Sequence, residues 1–112
     1  MTLENWSLEH AIEVYLTRCE VEGKSPNTVA AYRETLEQFL TVAKEHAFAD
    51  DVRKISPEHI YTYLAWVRKR GVTDHTQHRR HREVRFLFVW LETLGYVKVN
   101  SFKHIRNIKL PQ

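Results

Sequence analysis

The sequence predicts an all-α protein, a compact bundle of four helices followed by a C-terminal tail. Four segments place apolar residues on a 3.6-residue period, whereas no segment of useful length alternates apolar and polar residues as a strand would. Glycines and serine–proline pairs lie between these segments and supply their ends. The 112 residues are enough for one domain with a single core.

The first two predicted helices are separated by a short turn. Ser7 is the expected N-cap of the first helix, over residues 8–22. Ser25 caps the second helix, Pro26 takes its first position, where no backbone N–H is needed, and the helix ends near His46. The predicted inward faces are Leu8, Ile12, Tyr15, Leu16 and Cys19 in the first helix and Val29, Tyr32, Leu36, Phe39, Leu40 and Ala43 in the second.

The third and fourth predicted helices begin with different signals. Ser56 and Pro57 repeat the serine–proline start, and the third helix runs to about residue 70. Asp74 with Gln77 is the expected capping box of the fourth helix, over residues 74–95. The predicted inward faces are Ile60, Tyr63, Leu64 and Val67 in the third helix and Val84, Leu87, Phe88, Leu91 and Leu94 in the fourth.

Three large apolar residues of the fourth helix lie outside its inward stripe. They are Phe86, Val89 and Trp90. We expect the third helix or the tail to cover them; otherwise they form an interface for another domain or subunit.

Charge is divided unevenly along the chain. Residues 1–67 hold 6 Lys and Arg against 11 Asp and Glu, whereas residues 68–112 hold 11 against 3. The fourth helix places His75, His78, Arg82 and Arg85 opposite its apolar stripe. A basic half on an acidic support is typical of a protein that presents one face to a polyanion.

Two helix starts supply the candidate binding residues. Arginine forks bind phosphate or guanine edges, polar side chains in a first helical turn reach base edges, and free N–H groups at a helix start favour phosphate. Arg80 projects nearer the apolar stripe, where it either pairs with an acid or reaches a phosphate. The predicted DNA-binding residues are Lys24, Ser25, Asn27, Thr28, His75, Thr76, Gln77, His78, Arg79, Arg82 and Arg85.

The sequence offers no convincing catalytic or metal-binding constellation. It contains no Gly-rich phosphate loop, no His-Glu-x-x-His and no Gly-x-Ser-x-Gly. His75, His78 and His81 are three residues apart, but neighbouring arginines repel a cation. We therefore expect no metal, no cofactor and no catalytic residue.

Cysteine content and hydropathy bear on location. Cys19 is the single cysteine, which excludes an internal disulfide and fits a reducing cytosol. Its place on the apolar face of the first helix predicts a small core residue. No signal peptide opens the sequence, and the longest apolar run is far short of a membrane span. We expect a cytoplasmic protein that does not engage a membrane.

Ordered motifs over nearly the whole chain resemble the core-binding domain of tyrosine recombinases, the phage-integrase family. Each motif is mostly helix caps and apolar spacing, so the resemblance rests on their order and separation. They are Ser25-Pro26-Asn27-Thr28-x3-Tyr32-x3-Leu36-x2-Phe39-Leu40, Ile55-x2-Glu58-x-Ile60-x2-Tyr63-Leu64, Arg80-x3-Val84-Arg85-x-Leu87-Phe88-x-Trp90-Leu91-x3-Gly95-Tyr96-Val97-x2-Asn100 and Ile105-x2-Ile108-Lys109-Leu110-Pro111.

The resemblance implies a fold and a function. The family's core-binding domain is a SAM-like four-helix bundle whose second and fourth helices sit against double-stranded DNA, while a separate catalytic domain cuts it. None of the seven histidines here is followed at +3 by Arg, as the family's catalytic His-x-x-Arg would require. The resemblance therefore implies a non-catalytic DNA-binding domain over residues 1–99 and a linker over 100–112. Its partners would be duplex DNA, the chain's own C-terminal catalytic domain and other recombinase subunits on DNA.

Two departures and two alternatives accompany this interpretation. His81-Arg82-Glu83 stands where the family often has small residues, and Ser101 follows Asn100 where Pro is usual. A SAM-like protein–protein interaction module remains an alternative, because Phe86 and its neighbours lie off the apolar stripe. An independent helix-turn-helix fits less well, because half of the long fourth helix belongs to the core.

Overall fold

Four long helices form the protein, and the second contacts each of the others. A computed structural model describes residues 6–105. Within that range the helices are α1 (Leu8–Val21), α2 (Pro26–Glu45), α3 (Pro57–Lys69) and α4 (Asp74–Thr93), with a 3₁₀ turn at Val52–Lys54 and no strand. α2 packs against α1, α3 and α4, and α3 also packs against α4. The predicted all-α four-helix class is confirmed.

Local sequence explains most helix ends. The hydroxyl of Ser7 accepts a hydrogen bond from the His10 amide at 3.1 Å, and that of Ser25 accepts one from the Thr28 amide at 3.2 Å. Gly95 follows α4 with a φ of 82°, a conformation that L side chains rarely adopt. The predicted ends of the first three helices differ from those observed by about one residue.

The predicted cap of α4 is wrong by one residue. Thr73, in extended conformation, accepts the Thr76 amide at 3.2 Å, so Asp74 is the first helical residue and not the cap. The side chain of Gln77 donates to the carbonyl of Val72 at 3.2 Å and does not close a box with Asp74. Threonine and aspartate are both good caps, and Asp74 still benefits from the positive end of the helix dipole.

Aromatic rings hold the centre of the bundle together. Phe39 of α2 lies 5.0 Å from Tyr63 of α3 and 6.0 Å from Phe88 of α4, measured between ring centroids. Around them the predicted stripes are buried almost throughout. Tyr32, Leu40 and Leu64 are partly buried. Leu94 is 45% exposed, because α4 ends at Thr93.

The neighbours of Trp90 are not those expected. Trp6 and Tyr15 pack against Trp90, with ring centroids at 6.1 and 5.4 Å, and Tyr96 stacks on Trp6 at 3.7 Å. The cover therefore comes from the N-terminal segment and α1, not from the third helix or the tail. Phe86 and Val89 remain exposed on the same helix.

The beginning of the predicted linker packs into the bundle. Phe102 is only 3% exposed, with its ring 5.2 Å from His81 and 5.9 Å from Phe88. Ser101 donates to the carbonyl of Ile55 at 2.6 Å. Ser101 and Phe102 therefore belong to the packed part of the domain, because the core offers them an apolar site and an acceptor. The last motif, beyond Ile105, lies outside the described residues.

None of the helices within residues 6–105 combines the length and the apolar character that crossing a bilayer requires. This finding concerns only that part of the chain.

Replacing Phe102 with alanine tests the packing of the exit segment. We expect Phe102→Ala to lower the free energy of unfolding by about 3 kcal/mol, because a buried ring leaves a cavity. Val99→Ala, at an exposed site three residues earlier, should stay within about 0.5 kcal/mol of wild type. Urea unfolding followed by circular dichroism measures both. Equal stability of the two variants would show that the segment does not pack as described.

Candidate nucleic-acid interface

The outer face of α4 carries the basic side chains that the sequence places there. His75 and Arg82 are exposed, and His78 and Arg85 are partly buried, whereas Val84 and Leu87 on the opposite side are fully buried. This division follows from helical periodicity, because residues three and four apart share a face. The face runs for most of the length of α4.

The four arginines of α4 are in two different states. Arg80 is buried and forms an ion pair with Glu34 at 2.9 Å, and Arg79 lies 3.7 Å from Glu83. Arg82 and Arg85 make no ion pair within residues 6–105. Of the two options for Arg80, pairing with an acid is the one observed. Two guanidinium groups are left for an external anion.

A buried polar network joins α4 to α2. Thr35 donates to the carboxylate of Glu83 at 2.8 Å and accepts from Arg80 at 2.7 Å, and all three side chains are buried. Burial raises the pKa of Glu83, although the Thr35 hydrogen bond and nearby arginines oppose the shift. Hydrogen bonding to Arg80 lowers the pKa of Glu34. The network fixes the helix that carries Arg82 against its neighbour.

The start of α2 is exposed but partly committed to its own cap. Ser25 donates to the hydroxyl of Thr28 at 2.9 Å and accepts the Thr28 amide. Lys24 and Asn27 are exposed beside this cap, and Lys24 forms no ion pair within the described range. The lysine is therefore the charge that this turn offers to an anion.

The first turn of α4 is likewise engaged in local hydrogen bonds. Thr73 donates to the hydroxyl of Thr76 at 3.0 Å, and the Gln77 amide is held by the Val72 carbonyl. The side chains of Thr76 and Gln77 are partly buried. Four of the predicted DNA-binding residues belong to this turn, and His75 is exposed whereas Thr76, Gln77 and His78 are partly buried.

The residues before α2 and those in the first turn of α4 lie far apart along α4. Lys24 lines a groove with Phe86, Val89 and Thr93, which belong to the second half of α4. At 1.5 Å per residue, His75 lies about 16 Å along the helix from Phe86. The predicted set is therefore spread along α4, with the lysine at one end and the histidine at the other.

The His81-Arg82-Glu83 departure has a structural explanation. His81 is fully buried beside Phe102, Glu83 belongs to the network with Thr35, and only Arg82 faces solvent. Neither ring nitrogen of His81 has a hydrogen-bond partner in the described structure. Burial, and then the nearby charge of Arg85 and His78, lowers the pKa of His81 to about 4.

The structure brings no catalytic or metal-binding group together in the described part of the chain. Within residues 6–105 no three His, Cys, Asp or Glu side chains are placed to hold a metal ion. Cys19 is buried, and this burial raises the pKa of its thiol. A buried thiol of raised pKa is a poor nucleophile.

Residues 12–95 match the protein family described as phage integrase, N-terminal SAM-like domain. The match covers most of the 112 residues. The chain belongs to this family.

One relative and one solved structure are also similar to the chain. The integrase domain is 29% identical over 101 residues to the tyrosine recombinase XerC of Neisseria meningitidis serogroup B. That match covers 90% of the chain but only 33% of the relative. The crystal structure of the N-terminal domain of a phage integrase/site-specific recombinase from Haloarcula marismortui superposes with a TM-score of 0.84 at 16% identity. It covers 97% of this chain and 100% of that chain, which shows a shared fold.

Part of the integrase domain's candidate surface has no signal in the sequence. The groove beside Lys24 is also lined by Tyr15 and Arg18 of α1 and Tyr32 of α2. The helical pattern assigns both tyrosines to the core, because it records which side of one helix is apolar and not how three helices meet. The exposed position of Phe86, off its apolar stripe, is the available hint.

Replacing His81 tests the cost of its burial. The folded domain binds this proton only near pH 4, whereas an unfolded chain binds it near the ordinary value of 6.5, so wild type loses stability as the pH falls from 6.5 towards 4. We expect His81→Leu to be more stable than wild type by about 1 kcal/mol at pH 7. This advantage should grow by about 1.4 kcal/mol for each pH unit below 6.5.

Urea unfolding at pH 7, 6 and 5 measures this difference. His46→Leu, which removes an exposed histidine, controls for the loss of an imidazole in general. The other titrating groups are common to both proteins, so they cancel in the comparison. A stability difference that does not change with pH would contradict the burial of a neutral His81.

Proposed function

We propose that this integrase domain binds double-stranded DNA and holds it for strand exchange by a tyrosine recombinase. The single observation that carries the proposal is the outer face of α4, where Arg82 and Arg85 have no carboxylate partner within residues 6–105. Unpaired arginines on a rigid helix suit bidentate binding of phosphate or guanine.

The buried network explains how the face is held in place. Arg80 and Glu83 use their charges inside the bundle, so α4 cannot rotate to offer them to solvent without leaving buried charge unpaired. Arg82 is thereby kept exposed, and Arg85 stays partly buried, with an Nε that has no hydrogen-bond partner in the described structure. Lys24 at the start of α2 extends the cationic surface beyond α4.

The chain spans about a third of the length of the XerC relative, so the reaction of a whole recombinase is part of the proposal. In that proposal the bond-breaking residues belong to a separate catalytic domain, and residues 1–99 contribute binding and orientation. The segment after residue 100 leads towards that domain, and other recombinase subunits are further partners on DNA. The set proposed to contact DNA is the one named from the sequence, with Arg82, Arg85 and Lys24 as its principal charges.

Salt dependence tests the proposal directly. If the domain neutralises about four to six phosphates, the logarithm of the binding constant should fall against the logarithm of salt concentration with a slope of roughly −4 to −5. Fluorescence anisotropy with a labelled duplex, at salt concentrations from low to physiological, measures this slope. A domain that stays folded but binds no duplex even at low salt would rule the function out.

Charge-matched variants test the location of the interface. Arg82→Gln and Arg85→Gln should each weaken duplex binding and reduce the magnitude of the salt slope by about 1, because each removes one phosphate contact. Lys44→Gln removes the same charge at the far end of α2, where the lysine lies 3.6 Å from Glu9, and should leave the slope unchanged. Thermal unfolding checks that all three variants fold. Equal behaviour of the three would place the interface elsewhere.

The alternative, a SAM-like protein-interaction module, is favoured by the exposure of Phe86 and Val89. Sedimentation velocity distinguishes the two functions. A monomer that binds duplex supports the DNA-binding function, whereas a tight dimer that ignores DNA supports the alternative.

A further inference from the structure

Two exposed apolar side chains lie within the cationic face of α4. Phe86 is 36% exposed and Val89 is 41% exposed. Arg82 precedes Phe86 by four residues and therefore lies about one helical turn away. The guanidinium carbon of Arg85 is 5.6 Å from the centroid of the Phe86 ring. The apolar patch is thus continuous with the two arginines proposed to bind DNA.

The groove beside this patch has no acidic lining. Its volume is about 310 Å³, and apart from Thr93 its walls are aromatic, aliphatic or cationic. Arg18 is paired with Glu22, which leaves Lys24 as the lining cation that has no ion pair within residues 6–105. Such a surface complements an anionic partner that also presents apolar groups.

Duplex DNA presents an apolar group of this kind in its major groove, the 5-methyl group of thymine. An apolar side chain that covers a phosphate or a polar base edge desolvates that group without bonding to it. Contact with a thymine methyl instead removes two apolar surfaces from water. An α-helix with its side chains is about 10–12 Å across, which fits a groove about 12 Å wide.

We propose that Phe86 and Val89 recognise thymine by contacting its 5-methyl group when α4 lies in the major groove. The inference rests on the proposed DNA-binding function and adds a specificity element to it. Arg82 and Arg85 supply attraction to phosphate or guanine, and the apolar pair distinguishes thymine from cytosine at neighbouring positions.

The test uses an analogue that differs from thymidine by one methyl group. The wild-type domain first selects its preferred duplexes from a library randomised over about 20 base pairs, which is longer than the roughly 30 Å of α4. The selected duplex is then synthesised with thymidine or with deoxyuridine throughout. By anisotropy, the deoxyuridine duplex should bind about fourfold more weakly for each methyl group contacted.

Variants assign the effect to the two side chains. Phe86→Ala and Val89→Ala should bind the thymidine duplex more weakly and discriminate less between the two duplexes. Tyr61→Ala removes an exposed aromatic side chain from α3 and should keep full discrimination. Val89→Ala deletes fewer atoms and preserves the test if thermal unfolding shows that Phe86→Ala does not fold.

The outcomes distinguish a failure of this inference from a failure of the proposed DNA-binding function. The inference is overturned if the wild-type domain keeps its salt-dependent, Arg82-dependent binding but binds both duplexes equally, or selects no sequence. Equal binding together with Phe86-dependent dimerisation would assign the patch to a protein partner. Complete loss of duplex binding by the wild-type domain would overturn both the inference and the proposed function.

Discussion

The buried contact between α2 and α4 is the constraint on which the rest of the candidate surface depends. A carboxylate, a guanidinium and a hydroxyl come out of water together, and each satisfies part of the others' hydrogen-bonding need. Breaking one member would strand a buried charge, which costs far more than an exposed ion pair is worth. The contact therefore specifies which side of α4 faces inward, in addition to the apolar stripe that would do so alone.

The orientation of α4 decides which of its arginines pair with carboxylates. Nearby arginines along a helix point in different directions. Arg79 and Arg80 pair with carboxylates of the bundle, whereas Arg82 and Arg85 have no ion-pair partner among residues 6–105. Glu34 serves the inward arginine from the edge of the bundle, where it is itself exposed. The carboxylates of Glu34 and Glu83 are engaged with Arg80 and Arg79, so neither of them neutralises Arg82 or Arg85.

Much of this arrangement could be predicted from the sequence, and the failures have specific causes. Serine–proline starts and glycine ends encode helix boundaries locally, so the predicted bounds of the first three helices agree with the structure to about one residue. The predicted end of the fourth helix lies two residues beyond the observed one. Thr73 and Asp74 compete for one cap, and the choice depends on the path of the preceding turn. The burial of His81 and Glu83, and the docking of Phe102, depend on distant segments meeting, which helical periodicity does not describe. The DNA-contact set stays a prediction, because its members are defined by a ligand.

The anchored exit segment has a mechanical consequence. The amide of Asn100 donates to the carboxylate of Glu92 at 2.9 Å, Ser101 is tied to the residue before the α3 cap, and Phe102 is wedged against α4. A force applied beyond Ile105 would therefore be transmitted directly to the helices of the bundle and not absorbed by a loose connecting segment. A torque applied beyond Ile105 would therefore turn α3 and α4 together as one body.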